Sequence, residues 1–146
     1  MGDLSLGSMI TLWVMAGLFA VISIALFFAQ LYVLSGRAFP NPDGSTDDWH
    51  EQPIIFGMAL ADVVFSVPVT LLGVALLWVD LKVGVFVLSM SAFWMIYANI
   101  FTTATSLRFH KPRMTLAWVL TFPFGIALGM AMLFWVWWHF TLLFGN

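Results

Sequence analysis

The side chain in this sequence with the greatest potential for chemistry is a carboxylate inside an apolar run. Asp62 lies in residues 54–79, which carry no other charged residue. An ionisable group in a membrane-spanning segment is energetically costly, so it indicates a site that binds a cation, pairs with a polar ligand or transfers a proton. Ser66 and Thr70 follow at i+4 and i+8, on the same face of a helix. The simpler alternative is that these groups only hold helices together by hydrogen bonds; for Asp62 we favour a functional role.

Polar side chains at a similar depth occur in the other apolar runs. They are Gln30 in the first run, Asn99, Thr102, Thr103 and Ser106 in the third, and Thr121 in the fourth. We therefore predict a polar layer between the helices, in which Asn99 donates a hydrogen bond to Asp62. Gln30 and Thr103 are candidates for the same layer. Helix association is the favoured role of the hydroxyl groups, and for Gln30 both roles stay open.

The composition requires a lipid environment around the elements that carry these groups. Of the 146 residues, 62% are hydrophobic and 8% are charged, whereas a soluble domain has about a quarter of its residues charged. The formal net charge of −2 is unlike the basic surface that nucleic-acid binding needs, so we expect no nucleic-acid partner. The absence of cysteine excludes disulfides, thiolate metal sites and thiol catalysis.

Four apolar runs, separated by short polar stretches, supply the elements that position the polar layer. They cover residues 10–35, 54–79, 83–107 and 114–140. Each is longer than the roughly 20 residues that cross the hydrocarbon core as a helix. The runs are continuous rather than alternating, which is typical of helices and not of a membrane β-barrel. We predict an all-α fold, an integral membrane antiparallel four-helix bundle that forms a single domain over residues 1–146.

Two features of the second and fourth helices affect their packing. Pro68 and Pro123 each remove a backbone donor, which predicts a kink in each helix. Thr121, Gly125 and Gly129 recur at spacing four and form a ridge of small residues, which allows a neighbouring helix to approach closely.

Basic residues are concentrated on one side of the predicted bundle. The loops at 36–53 and 108–113 lie on that side. Their basic residues are Arg37, Arg108, Lys111 and Arg113. The opposite side carries Lys82. The positive-inside rule therefore predicts that both loops are cytoplasmic and both termini are outside, in a bacterial inner membrane or a eukaryotic endomembrane.

These two loops carry opposite charges, so we expect them to dock against each other. The acidic candidates are Asp47, Asp48 and Glu51, and the basic candidates are Arg108, Lys111 and Arg113. Exposed pairs contribute at most about 1 kcal/mol each, so this is a prediction about position more than about stability.

The sequence predicts no metal site and no cofactor. His50 and His110 lie on the loop side and His139 on the opposite side, without H-x-x-H or H-x-x-x-H spacing. A bis-histidine haem is not supported, because no two histidines lie at one depth on facing helices, and there is no nucleotide-binding loop or nucleophile elbow. We expect aromatic side chains near the polar layer to enclose an organic ligand instead. These are Phe65, Trp94, Tyr97 and Trp118.

Several segments resemble a known family of membrane proteins. Residues 62–68 read D-V-V-F-S-V-P, in which an acidic residue precedes Phe by three positions and Pro by six. The first helix ends L-F-F-A-Q-L-Y-V-L-S-G-R-A-F-P, the first loop is long, the second is short, and the third helix contains the pair Thr102–Thr103. This pattern is similar to the EXPERA superfamily, which includes the emopamil-binding sterol isomerases and the sigma-2 receptors. The resemblance extends from residue 26 onward.

The resemblance implies a cavity for a lipophilic ligand between the helices, with Asp62 at its polar end. The ligand would be a sterol, an isoprenoid or a cationic amphiphile. The first helix departs from the family, because Ala29, beside Gln30, stands at the place of an acidic residue. A sterol isomerase protonates a carbon–carbon double bond and needs acid–base partners. We therefore expect ligand binding rather than isomerase activity. If the protein were an isomerase, Asp62 would be the acid.

Other functions fit the same sequence. A non-catalytic accessory subunit of a larger membrane complex would also have little mass outside the membrane. A lipid or sterol double-bond isomerase is a further alternative, and a proton-coupled transporter is the least favoured, since four helices would have to dimerise to form a path. The expected partners are membrane lipid or a lipophilic ligand, a second copy of the chain, or a larger membrane complex.

Overall fold

The described part of the chain is helical, as the sequence predicts. A computed structural model describes residues 4–40, 44–109 and 115–145. Its elements, in chain order, are α1 (Leu6–Leu34), a 3₁₀ turn (Trp49–Glu51), α2 (Pro53–Ala61), a π turn (Asp62–Ser66), α3 (Val67–Val79), α4 (Leu81–Phe109), α5 (Leu116–Trp138) and α6 (Phe140–Phe144). α2, the π turn and α3 follow one another without a break and form one long helix, here called the second span.

Four helices in the described residues are long and apolar enough to cross a membrane. They are Leu6–Leu34, Pro53–Val79, Leu81–Phe109 and Trp118–Trp138. Large apolar side chains such as Val79, Phe93 and Trp137 are exposed on their outer surfaces. Continuous exposure of this kind is rare in soluble proteins and normal for a surface that faces lipid. The prediction of an all-helical fold with four helices that are long and apolar enough to span a membrane is confirmed.

The second span changes its hydrogen-bond pattern halfway along. The N–H of Val67 donates to the carbonyl of Asp62, five residues earlier, which is the pattern of a π turn. Pro68 comes next and has no N–H to donate. The carbonyl of Val63 therefore lacks its usual helical donor, since the N–H of Val67 bonds one residue earlier and Pro68 has none. The sequence predicts a kink at Pro68 but not the π turn with which the helix accommodates it.

One end of the molecule joins the start of α1 to the ends of the second span and α5. Trp13 packs against Trp78, with ring centroids 4.6 Å apart. His139 follows α5, and its Nδ1 lies 2.8 Å from the Trp135 carbonyl oxygen, while Nε2 lies 2.9 Å from the Ser8 hydroxyl. In the neutral ring Nδ1 therefore donates to the carbonyl, and Nε2 accepts from Ser8. These contacts bring the first turns of α1 next to the ends of the second span and α5.

Two glycines allow α5 to pack closely along α4. A Cβ at Gly129 would lie 2.7 Å from Ile96 Cγ1 and 2.9 Å from the carbonyl oxygen of Ala92. A Cβ at Gly125 would lie 2.6 Å from Asn99 Nδ2. The predicted ridge of small residues is therefore the surface against which α4 packs.

Buried apolar side chains form two clusters, and the polar residues lie between them. The first cluster includes Leu12, Phe19, Leu88 and Met132. The second consists of Val33, Trp49, Ile55, Ala59 and Phe122. Along α1, Ser23 and Gln30 fall between the residues of the two clusters and are both buried. The fold thus encloses a polar layer between two apolar ones.

The first loop folds back over the second cluster. The N–H of Asp47 donates to the carbonyl of Phe39 at 2.9 Å, and Trp49 packs against the Phe39 ring. Lys111 and Arg113 lie outside the described residues, so the docking of the first loop against the third stays a prediction. Arg108 is described, and its guanidinium lies over the ring of Phe109.

Candidate ligand-binding site

Asp62 begins the π turn and points between the helices, where it is 4% exposed. Gln30 on α1 donates from Nε2 to Asp62 Oδ2 at 2.8 Å. Trp94 on α4 donates from Nε1 to Asp62 Oδ1 at 3.1 Å. Each carboxylate oxygen thus accepts one N–H, and the side chain connects three helices. The predicted location of Asp62 and the participation of Gln30 are confirmed.

The prediction that Asn99 donates to Asp62 is wrong. Asn99 Nδ2 donates to the Met95 carbonyl oxygen at 2.7 Å, one turn earlier on the same helix. A short amide competes for nearby backbone groups in this way, so it need not reach across to another helix. The longer indole of Trp94 reaches Asp62 instead. The sequence predicts Trp94 in an aromatic wall and does not predict this hydrogen bond.

A small chamber of about 70 Å³ surrounds Asp62. Its polar lining residues are Ser23, Gln30, Asp62, Ser66, Thr70, Ser91, Asn99, Thr102 and Thr121. These residues come from all four long helices, so the predicted polar layer is present. Thr102 lines the chamber, whereas Thr103 does not. Among the described residues, the buried hydroxyl oxygen of Thr103 has no hydrogen-bond partner.

A larger cavity of about 210 Å³ adjoins this chamber. Its apolar lining residues include Ile22, Ala25, Leu26, Ala29, Ile55, Met58, Leu120 and Phe122. The two spaces share Gln30 and Thr102 in their walls, so these side chains lie where the cavity adjoins the chamber. Ala25 on α1 is exposed, and Leu120 on α5 is 61% exposed. The cavity therefore opens sideways between α1 and α5.

Aromatic rings close the cavity beneath the first loop. The rings of Trp49 and Trp118 lie 4.6 Å apart, and Trp118 stacks on Phe122 at 5.2 Å. Trp118 lines the cavity together with Trp49, which comes from the 3₁₀ turn of the loop. The sequence predicts Trp118 as a wall of the ligand cavity but does not predict Trp49. The signal that could have found Trp49 is a large aromatic residue in an otherwise acidic loop.

Two of the predicted aromatic walls face outwards, so their assignment to the cavity wall is wrong. Phe65 is 62% exposed and Tyr97 is 59% exposed, and neither lines the chamber or the larger cavity. A π turn contains more residues per turn than an α turn, so the position three residues after Asp62 leaves the buried face. Tyr97 belongs to an exposed stripe of α4 that includes Phe93 and Ile100, at helical spacing.

Phe65 contributes instead to an outer groove of about 320 Å³ between α3 and α4. Its lining residues are Phe65, Ser66, Val69, Met90, Ser91, Phe93 and Trp94. Ser66, Ser91 and Trp94 also line the chamber. Trp94 therefore separates a groove on the outer surface from the buried carboxylate.

The charges around the site are one-sided. Neither the chamber nor the larger cavity has a lysine, arginine or histidine among its described lining residues. The described part of the chain also contains no group of three or more His, Cys, Asp or Glu side chains that could hold a metal ion. An anionic ligand would thus be repelled by the Asp62 carboxylate, with no positive charge nearby to compensate. A neutral or cationic group would not be repelled.

Comparison with known proteins does not connect this site to a characterised one. No family model, no characterised protein and no solved structure matches the chain. Because a helical bundle supports many functions, the function has to be argued from the cavity and its polar groups.

Proposed function

We propose that this protein binds a lipophilic or amphipathic ligand, such as a sterol-like or isoprenoid-like molecule, between its membrane-spanning helices. The observation that carries the proposal is the apolar cavity that opens between α1 and α5 and adjoins the chamber around Asp62. In a membrane this opening faces hydrocarbon, so a ligand can enter from the lipid. Its polar end would reach Gln30 and Thr102, with Asp62 behind them.

The size of the cavity limits how the ligand is held. Pockets that enclose a drug-sized molecule measure about 300–1,000 Å³. The larger cavity, at about 210 Å³, is below that range. It would therefore enclose one end of the ligand, while the remainder extends between α1 and α5 into the lipid.

Binding is a better proposal than catalysis for this site. Both oxygens of Asp62 already accept N–H groups, from Gln30 and Trp94. Asp62 is also the one carboxylate among the described lining residues of the chamber and the larger cavity. A double-bond isomerase that resembles the EXPERA enzymes would need an acid and a base. The resemblance to that superfamily therefore supports a ligand cavity more than it supports isomerase activity.

A cavity-filling variant tests the proposed function. In Ala29→Phe, a phenyl ring would fill space in the larger cavity, because Ala29 lines that cavity but not the chamber. We expect covalent labelling by a photoreactive cholesterol analogue to fall by about tenfold, the effect of roughly 1.4 kcal/mol of lost affinity. The measurement is labelling of the purified protein in mild detergent, followed by mass spectrometry of the labelled peptides.

Ala104→Phe is the matched control, since Ala104 is exposed on the outer surface of α4. It adds the same ring without filling either space, so its labelling should equal that of the unaltered protein. Equal labelling of both variants, or labelled peptides that lie outside the cavity lining, would contradict the proposal. Co-purification of large subunits with an unlabelled cavity would favour the accessory-subunit alternative.

We further propose that the four long helices form an antiparallel bundle in the membrane, with the loops at 36–53 and 108–113 in the cytoplasm. Support comes from the contacts of Trp13 with Trp78 and of Ser8 with His139. The chain has no cysteine, so single cysteines introduced near residues 3 and 144 can be labelled without interference. Membrane-impermeant maleimide should reach both from the outside of intact cells or spheroplasts. Labelling of the two positions from opposite sides would contradict the four-span arrangement.

A further inference from the structure

The hydroxyl groups around Asp62 present oxygen lone pairs to the chamber. Thr70 Oγ1 donates to the Ser66 carbonyl oxygen at 2.8 Å, Ser91 Oγ to that of Val87 at 3.3 Å, and Thr102 Oγ1 to that of Ala98 at 2.9 Å. A hydroxyl has one hydrogen, and each of these hydrogens bonds to the backbone of its own helix. What remains available to an occupant of the chamber is an acceptor.

Two further side chains add to this excess of acceptors. Asn99 directs an amide N–H to its own helix, and its carbonyl oxygen belongs to a side chain that lines the chamber. Ser23 is 4% exposed and also lines the chamber, so its hydroxyl oxygen is a further potential acceptor there.

The electrostatics of the chamber point in the same direction. Asp62 is the single carboxylate among its described lining residues, and none of those residues is basic. In a low-dielectric region an ionised carboxylate needs a positive partner. The chamber volume, about 70 Å³, is enough for one small ion and a water molecule, whose share of liquid volume is about 30 Å³.

We propose that the chamber is a binding site for a small monovalent metal cation, with Na⁺ as the best fit. Hard cations prefer oxygen ligands, which Asp62 and the surrounding hydroxyl and amide groups supply. One carboxylate balances one positive charge, whereas a divalent ion would leave a net charge buried between the helices. The cation would hold α1, the second span and α4 together at the polar layer.

This inference goes beyond the proposed ligand function and depends on the chamber alone. The larger cavity is where the lipophilic ligand would lie, and Ala29 lines that cavity without reaching the chamber. Ala29→Phe should therefore lose sterol-analogue labelling and keep its response to Na⁺. Failure of one proposal can in this way be told apart from failure of the other.

The test is a thermal unfolding series in detergent, followed by the fluorescence of the 8 tryptophans. NaCl replaces choline chloride at constant ionic strength, with KCl as a parallel series. We expect the unfolding temperature to rise and then saturate with Na⁺, with a weaker response to K⁺ and none to choline. Asp62→Asn should abolish the response. Asp80→Asn should keep it, because Asp80 is exposed and caps α4 through its oxygen, which asparagine retains.

A second variant keeps the test decisive if Asp62→Asn does not fold. Thr70→Val has the same shape without the oxygen, and Thr70 is 3% exposed. It should raise the Na⁺ concentration for half-maximal stabilisation by about tenfold, as loss of a partner in a metal site does. A Na⁺ response equal to that of choline, or one unchanged in both variants, would overturn the cation site.

Discussion

Gly129→Ala is expected to destabilise the protein by about 1–3 kcal/mol, the usual effect of inserting a methyl group into a filled interface. The new Cβ would lie 2.7 Å from Ile96 Cγ1 and 2.9 Å from the carbonyl oxygen of Ala92. The Ile96 side chain can rotate, but the Ala92 carbonyl belongs to the backbone of α4. Relief therefore requires α4 and α5 to move apart, which loosens contacts along both helices.

Gly17→Ala is the matched control for this prediction. Gly17 also lies within a long helix, and nothing lies within 4 Å of a Cβ at that position. Alanine should be neutral there or stabilise α1 by up to about 1 kcal/mol, because glycine is a poor helix former. Thermal unfolding of both variants, measured by tryptophan fluorescence in the same detergent, makes the comparison. Equal unfolding temperatures for the two variants would show that α4 and α5 do not approach this closely.

Much of the fold follows from the sequence because lipid simplifies the problem. A segment that crosses hydrocarbon must satisfy its own backbone groups, so long apolar runs become helices. The predicted run 54–79 and the observed Pro53–Val79 differ by one residue at one end. The run 114–140 is less accurate, since α5 ends at Trp138 and a separate helix, Phe140–Phe144, follows. Hydropathy does not register this break at His139, because the residues on both sides are apolar.

The candidate site is predicted less completely, and the reason is rotation about the helix axes. Depth along a helix can be counted from its ends, so the sequence places Gln30 and Asp62 in one layer correctly. Which face a residue occupies depends on an unbroken α-helical period. The π turn at Asp62–Ser66 interrupts that period and carries Phe65 to the outer surface. Pro68 was the available signal for this interruption.

Residue spacing along the sequence also does not predict which side chains form hydrogen bonds with each other. Asn99 and Trp94 both lie on α4, and each could donate to Asp62. Asn99 is short enough to bond to its own backbone and lies against Gly125 of α5. Trp94 has the longer reach, and the Asp62 carboxylate accepts its indole N–H at 3.1 Å, which compensates that donor in an apolar environment. Side-chain length and local competition, rather than depth, decide the partner.

The largest functional effect is expected from Asp62→Asn, which should fold normally and lose ligand binding. In this variant the amide of Gln30 can turn over so that its oxygen accepts from the new amide, while Trp94 continues to donate to the remaining oxygen. The hydrogen bonds between three helices are thus retained, and the negative charge is removed. Labelling by the photoreactive cholesterol analogue, together with the unfolding temperature, separates the two effects.

Asp62→Leu provides the structural contrast. It leaves the buried N–H groups of Gln30 and Trp94 without acceptors, which costs about 1–3 kcal/mol for each. Replacing all three residues, as Gln30→Leu, Asp62→Leu and Trp94→Phe together, removes the unpaired donors and should restore most of the stability, because no polar group is then left unmatched. If the carboxylate serves the ligand, this apolar variant should be stable and still fail to bind. If a folded Asp62→Asn protein is labelled as strongly as the unaltered one, then Asp62 only links helices and does not serve the ligand.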